Sequence, residues 1–379
     1  MEAPGHTALG AWSGGRFMHF GEPLEDERLV PLLRPGDGID TLLTADVYGA
    51  GEADRIVGRA LEGLPRESYF LVGAVGHDFY KGERDGPRGF PRFTDPSLRG
   101  PDEYASYLRM AVERSLERVG VDSFDLLLLH NPDRIGFSSP VVWEALEGLR
   151  PELTRLLGVA PGPANGFTLD LIDCFERFGE SIDWAMIILN PMEPWPGELV
   201  LPAARAGDVS LIARVVDYGG LFWGDVKPGH QFRENDHRTF RPAGWVEQGY
   251  ERLERMRPIA DAHGLTPMKL ACQWDLSRQN VECVVPTLIQ EAGPDARPVE
   301  DKRAELAAVP RELLLSPDEV MEIRAAGDNT GCMALKGASP EHEGEPRPDR
   351  WQLTPALDEV AARWEIEPER DLRKAGVLR

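Results

Sequence analysis

The chain has 379 residues and a formal net charge of −22, with 42% hydrophobic and 8% aromatic residues. That length suits one large barrel or two ordinary domains with a full core, and the charge excludes nucleic acid and acidic membrane surfaces as natural partners, since both would be repelled. The four cysteines, Cys174, Cys272, Cys283 and Cys332, show no CxxC spacing, no basic-then-apolar leader opens the chain, and no apolar run reaches the ~20 residues of a membrane span. The expectation is a cytoplasmic protein acting on a small molecule.

Residues 6–15 combine a short apolar strand with a Gly-Gly turn, and 25–33 read as a short helix ended by Pro35-Gly36. A second strand over 39–44 leads into a helix over 52–61, whose Ile56, Val57, Ala60 and Leu61 form an apolar stripe. A third strand, 68–75, is followed by a Gly/Pro/Arg-rich loop over 77–100 and by a helix over 102–119 with Tyr104, Leu108, Ala111, Val112 and Leu116 at helical spacing. Strands then fall at 125–130, 156–160, 184–190, 211–216 and 281–286, with helices at 141–149, 169–178, 247–263, 267–278 and 317–326. This alternation predicts an α/β fold, a single (β/α)8 TIM barrel over residues 1–325. Closure is favoured over an open doubly wound sheet because no Gly-rich dinucleotide turn follows the first strand. Residues 326–379 are expected to form a C-terminal extension packed on the barrel, being too short to bury a core of their own. A mobile tail is the alternative.

Residues 38–49, Gly-Ile-Asp-Thr-Leu-Leu-Thr-Ala-Asp-Val-Tyr-Gly, read as a buried strand that delivers Tyr48 to a site. Taken alone, Tyr48 is as well explained by packing. The passage resembles the second strand of the aldo-keto reductases, Gly-Ile-x-x-x-Asp-Thr-Ala-x-x-Tyr-Gly, and Tyr48 falls on that family's catalytic tyrosine. Arg114-Ser-Leu-Glu-Arg-Val-Gly-Val-Asp-Ser-Phe-Asp125-Leu-Leu-Leu-Leu-His130 is similar to the family's helix-then-strand signature and sets His130 on the catalytic histidine; Trp143-Glu-Ala-Leu-Glu and the approach to Val284-Val-Pro286 also match. The resemblance implies NADP(H) as cofactor and hydride transfer to or from a carbonyl, with Tyr48 as proton donor. It also places Tyr48, His77, Asp78, His130, Asn131, Asn190, Arg214, Asp217 and Tyr218 at the carboxyl ends of the strands, where such barrels do their chemistry.

The same register puts Leu43 at the family's catalytic aspartate and Ala74 at the lysine that lowers the tyrosine pKa. Losing both together is self-consistent, because either charge alone in a buried spot carries a desolvation penalty of several kcal/mol. Gly158-Val-Ala160-Pro161 replaces Gly-Val-Ser-Asn at the carboxamide, Met186 replaces a glutamine, and Ala304-Glu305 replaces the Glu-Asn near the adenine, after an insertion around 290–295. If NADP(H) is used, Arg297, Lys302 and Arg303 are the candidates to hold its phosphates; ordinary solvated charges describe them equally well. Without a lysine beside it, Tyr48 is expected to titrate high and to serve as an acid.

Three readings follow. In the first, Tyr48 and His130 carry out redox-neutral isomerisation or elimination on a small carbonyl, polyol or keto-sugar. Asp46, His77, Asp78, Asn131, Asn190 and Arg214 bind the substrate, or some of them, with His130, hold a divalent metal as Lewis acid. In the second, the chain is an NADP(H)-dependent reductase or dehydrogenase in which another residue, such as Lys81 or Lys336, supplies the missing charge. In the third it is a catalytically silent interaction module using aromatics such as Phe222, Trp223 and Trp245. Trp12, Trp195, Phe222 and Trp223 are expected as aromatic walls near the barrel mouth.

Overall fold

The computed structural model describes residues 1–86, 89–162, 167–294, 296–330 and 341–373. Eight strands, β1 Ala8–Gly10, β2 Thr41–Leu43, β3 Phe70–Val75, β4 Phe124–His130, β5 Thr154–Ala160, β6 Trp184–Ile188, β7 Ser210–Arg214 and β8 Val281–Val285, pair in parallel in sequence order. A bridge from Thr7 to Val284 brings β8 back to β1, with the Val284 amide donating to the His6 carbonyl at 3.0 Å, so the ring is nearly closed. The helices are α1 Asp26–Leu33, α2 Glu52–Leu61, α3 Tyr104–Val119, α4 Arg134–Ser138, α5 Pro140–Glu147, α6 Phe167–Phe178, α7 Leu201–Ala206, α8 Trp245–Ala262, α9 Pro267–Leu276, α10 Val299–Ala307, α11 Pro317–Ala326, α12 Pro355–Arg363 and α13 Pro368–Asp371. The expected (β/α)8 barrel is what forms.

The strands read as continuous apolar runs because both faces are covered, and the two-residue period sorts their side chains. Leu43, Phe70, Val72, Ala74, Leu126, Leu128, Trp184, Met186, Ile212, Cys283 and Val285 share the barrel interior. Their alternates, among them Leu42, Leu71, Val75, Leu127, Leu129, Leu157 and Leu211, pack with the helices. Though β2 is short, its pairing runs on irregularly: Thr44 N donates to Val72 O at 2.9 Å and Asp46 N to Ala74 O at 3.1 Å. The chain therefore stays alongside β3 until just before Tyr48. The short helices α4, α7 and α10 are absent from the sequence expectation; α10 is hidden because one of its buried positions is a lysine, Lys302.

The loop after β3 folds back over the barrel mouth. Gly76 lets it cross β4, since a Cβ there would lie 2.2 Å from the His130 carbonyl oxygen. A bridge joins His77 to Arg92, the Tyr107 hydroxyl donates to the His77 carbonyl at 2.8 Å, and Asp78 pairs with Arg99 where both side chains are buried. The described residues 341–373 lie against α6 and the loop after β4: Arg134 donates from its amide to Pro348 O at 3.0 Å and from Nη2 to Gln352 O at 2.7 Å, while Arg363 pairs with Glu176 at 2.5 Å. Trp351, Leu357, Val360 and Ile366 of this segment are buried in the main core.

Removing one partner of the Asp78–Arg99 pair leaves an uncompensated buried charge. Arg99→Met or Asp78→Asn should each cost about 3–5 kcal/mol in denaturant unfolding, and the double variant distinctly less than the sum; additive losses would show that the pair does not hold this loop.

Candidate active site

Tyr48 opens a tight turn into α2, where Gly49 and Gly51 adopt φ of 59° and 91°. The turn swings the phenol over the carboxyl ends of the strands. There its ring meets His130, the last residue of β4, edge-on with centroids 5.7 Å apart; His130 in turn meets His77 at 5.2 Å, and Trp12 stands 6.4 Å from Tyr48. The floor beneath is hydrocarbon: Leu43, Ala45, Val72, Ala74, Leu128, Ala160 and Met186 form one apolar cluster on which Tyr48 packs. Both positions of the family's charged couple thus lie inside the dry interior.

The cation that the floor lacks comes from the rim. Arg214 ends β7 with its Nη2 donating to Pro161 O at 2.9 Å and its Nε buried without a partner, within electrostatic reach of Tyr48 and His130. The neighbouring Val215 is held in the left-handed region at φ 63°, unusual for a β-branched residue. Asn190 secures that bend, its amide donating to Val215 O at 3.1 Å while its carbonyl caps the Met192 and Glu193 amides, each at 2.9 Å. Asn190 therefore supports the strand end that presents Arg214.

Burial holds the Tyr48 phenol above its ordinary pKa and Arg214 draws it part of the way back, so the hydroxyl keeps its proton. His130 is pushed down to about 3 by burial and then by Arg92 and Arg214. Its imidazole is neutral, and its Nδ1 is buried without a partner. His77 is also well below its usual range, through burial, Arg92 and His130. Its Nδ1 lies 3.0 Å from both Phe90 O and Arg92 Nη1, and its Nε2 3.2 Å from the Asn131 amide nitrogen.

Several sequence candidates stand elsewhere. Asp46 continues the outward face of β2 and points into the helix layer, not the mouth; both its oxygens are buried without partners, and burial together with Asp54 raises it well above the carboxylate range. Asp78, expected as a substrate or metal ligand, is engaged by Arg99 and by the Tyr80 and Lys81 amides, each amide at 2.9 Å. Among the described residues no group of three or more His, Cys, Asp or Glu is placed to hold a metal ion. Lys81 is exposed, and Lys336 lies outside the described residues. Trp195, Phe222, Trp223 and Trp245 are buried in the main core, so they do not form a surface patch, and Trp12 stands against Tyr48. No helix among the described residues is long and apolar enough to cross a membrane.

Arg92 is the functional residue that the sequence did not single out. It sits in the folded-back loop and donates to the carbonyls of Asn131 and Phe90 beside His77. No periodicity marks it; only its place in an Arg-rich loop after a strand end could have.

The residues present do not fit a nicotinamide dinucleotide at either of its anchoring ends. Ala160 and Met186 are in the apolar floor, Pro161 O is taken by Arg214, and Asn190 is used within its own turn. At the expected phosphate end Arg297 pairs with Glu305 at 2.6 Å, the buried Lys302 pairs with Asp225 and donates to Ile289 O at 2.5 Å, and Arg303 donates to the carbonyls of Leu32, Arg34 and Gly36. The loop after β7 also closes on the one after β8, with Trp223 Nε1 donating to Thr287 O at 2.9 Å and Thr287 N to Asp217 at 2.8 Å.

Two consequences are measurable. Ala74→Lys puts an ammonium into hydrocarbon and should cost several kcal/mol, and adding Leu43→Asp should return part of it, about 0.5–3 kcal/mol of coupling; strictly additive losses would place these side chains apart. For His130 the sign follows from a folded pKa of about 3 against an ordinary 6.5. The unfolded chain binds this proton first, so stability erodes as pH falls from 6.5 toward 3, with a slope of up to ~1.4 kcal/mol per unit. His130→Asn should flatten the unfolding midpoint against pH in that window, and superimposable slopes would refute a buried neutral imidazole.

Comparison with known proteins agrees with this architecture. The model of the Aldo/keto reductase family matches residues 10–293. Aldo-keto reductase yakc of Schizosaccharomyces pombe, whose name specifies NADP(+), is 23% identical over 87% of this chain and 91% of its own. D-threo-aldose 1-dehydrogenase of a Pseudomonas species is 24% identical over 65% of this chain and 74% of its own. The holo form of aldo-keto reductase AKR11C1 from Bacillus halodurans superposes with a TM-score of 0.60 at 20% identity, covering 85% of this chain and 92% of that one. With a family model spanning most of its length and the tyrosine and histidine of that family facing each other at the barrel mouth, the chain belongs to the aldo/keto reductase family.

Proposed function

We propose that this protein is an enzyme in which Tyr48 gives a proton to, or takes one from, the oxygen of a small carbonyl or hydroxy compound, with His130 and Arg214 flanking that oxygen. The observation that carries the reading is the meeting of a protonated phenol, a neutral imidazole and a guanidinium over an apolar floor. As negative charge develops on a carbonyl oxygen, the phenol donates and the phenolate left behind is stabilised by Arg214. The cation that tunes the tyrosine has moved from β3 to β7. The loss of the lysine therefore does not separate a reductase from a redox-neutral enzyme.

For the change at carbon, the relatives support oxidation and reduction: one is named for NADP(+), another as an aldose dehydrogenase. The redox-neutral reading, proton abstraction beside the carbonyl followed by isomerisation or elimination, is favoured by one observation on this chain. The groups at the carboxamide and phosphate positions are apolar or already engaged.

Titration of NADPH and NADH against tryptophan emission distinguishes the two. Saturable quenching selects the oxidoreductase, and its absence up to millimolar cofactor selects the redox-neutral enzyme. Under either, Tyr48→Phe should lower turnover by about 10²–10⁴ while leaving the unfolding midpoint nearly unchanged; a variant that turns over at the parent rate would sink the proposal.

A further inference from the structure

We infer that the substrate of this site is an organic anion, a small 2-oxo or 2-hydroxy carboxylate held at the guanidiniums of Arg92 and Arg214. The inference rests on the acid–base reading of Tyr48 and adds the substrate class. Its ground is a charge imbalance in an unexpected place. The chain carries a net charge of −22, yet two half-buried guanidiniums flank His130 at the mouth. Arg214 donates to Pro161 O, and Arg92 to Asn131 O and Phe90 O with its Nη1 also 3.0 Å from His77 Nδ1, so their protein partners are carbonyls and a neutral imidazole. Neither forms an ion pair among the described residues.

Apart from Asp46, which faces the helix layer, the carboxylates around the mouth are occupied. Asp78 pairs with Arg99 and Glu193 with Arg241, while Asp217 accepts from the Thr287 and Gly220 amides and Asp133 caps α4 through the Gly136 amide. Asp133 and Asp349 act on Arg92 only through the field between them. Two polar atoms at the mouth, Arg214 Nε and Nδ1 of the 5% exposed His130, are buried with nothing to bond. A carboxylate offsets the two cations and offers the bidentate acceptor that a guanidinium fork matches. Because Arg214 bears on both Tyr48 and His130, the anion and the reacting oxygen must be close neighbours, as they are in a 2-oxo acid.

Calorimetric titration of the full chain with pyruvate, 2-oxobutyrate and 2-oxoglutarate, set beside methyl pyruvate and methyl 2-oxobutyrate, tests this. At least one acid should bind about tenfold or more tighter than the neutral esters. That affinity should weaken as chloride is raised, and Arg92→Met and Arg214→Met should each narrow the acid-to-ester affinity ratio about tenfold. Esters that bind as tightly as the acids, acids that fail to bind up to millimolar, or an acid-to-ester ratio unchanged in both variants would each overturn the inference. If the variants do not fold, the acid-to-ester ratio on the unmodified chain still decides. Tight acid binding with turnover intact in Tyr48→Phe would sink the acid–base reading and keep this one. Turnover of neutral carbonyls that is lost in Tyr48→Phe, with acids unbound, would do the reverse.

Discussion

A guanidinium withdrawn from water requires a partner, and at this barrel mouth the protein gives Arg92 and Arg214 only uncharged ones, backbone carbonyls and the His77 imidazole. The remaining features of the site are arranged around that tension. His130 stays neutral because it is buried and two cations bear on it, and Tyr48 keeps its proton because burial outweighs the pull of Arg214. The interior directly below can be hydrocarbon because no charge has to be tuned from beneath. A couple buried in the floor and a cation presented from a strand end are two ways to place positive charge near the same phenol. The second leaves the cation exposed to whatever enters.

The fold was legible because eight apolar runs recur at barrel spacing and the segments between them carry helical stripes. Tyr48 and His130 were legible because strand ends and motif coincide. Asp46 was misplaced for a simple reason: the two-residue alternation continues past β2, so it shares the outward face with Thr44, whose hydroxyl donates to Asp54 of α2 at 2.8 Å. Only the turn beginning at Val47 frees Tyr48 from that rhythm. Asp78 looked available because Arg99, the residue that engages it, lies 21 positions away across an irregular loop. Arg92 was invisible for the same reason, since a loop's return path is set by long-range contacts that no local pattern encodes. Lys302, read as a phosphate ligand, is buried against Asp225 and holds two loops together.

Relatives near one quarter identity share the scaffold, and a barrel scaffold supports many chemistries by changing the residues at its strand ends. Here β2 and β4 carry the tyrosine and histidine that align with the family's pair, whereas β5 and β6 depart from its pattern at Ala160 and Met186. Apolar groups replace polar ones at Ala160 and Met186, and Arg214 closes onto Pro161 across the gap between β5 and β7.

The clasp between Arg134 and the chain near Pro348 and Gln352 has an electrostatic corollary. It fastens a stretch whose Asp349 adds negative potential at Arg92. Undocking that stretch would sharpen the pull of the rim on an incoming anion, and by thermodynamic reciprocity an anion seated there would loosen the stretch. On the proposed anion-binding reading, the attachment of residues 341–373 and the occupancy of the barrel mouth would oppose each other.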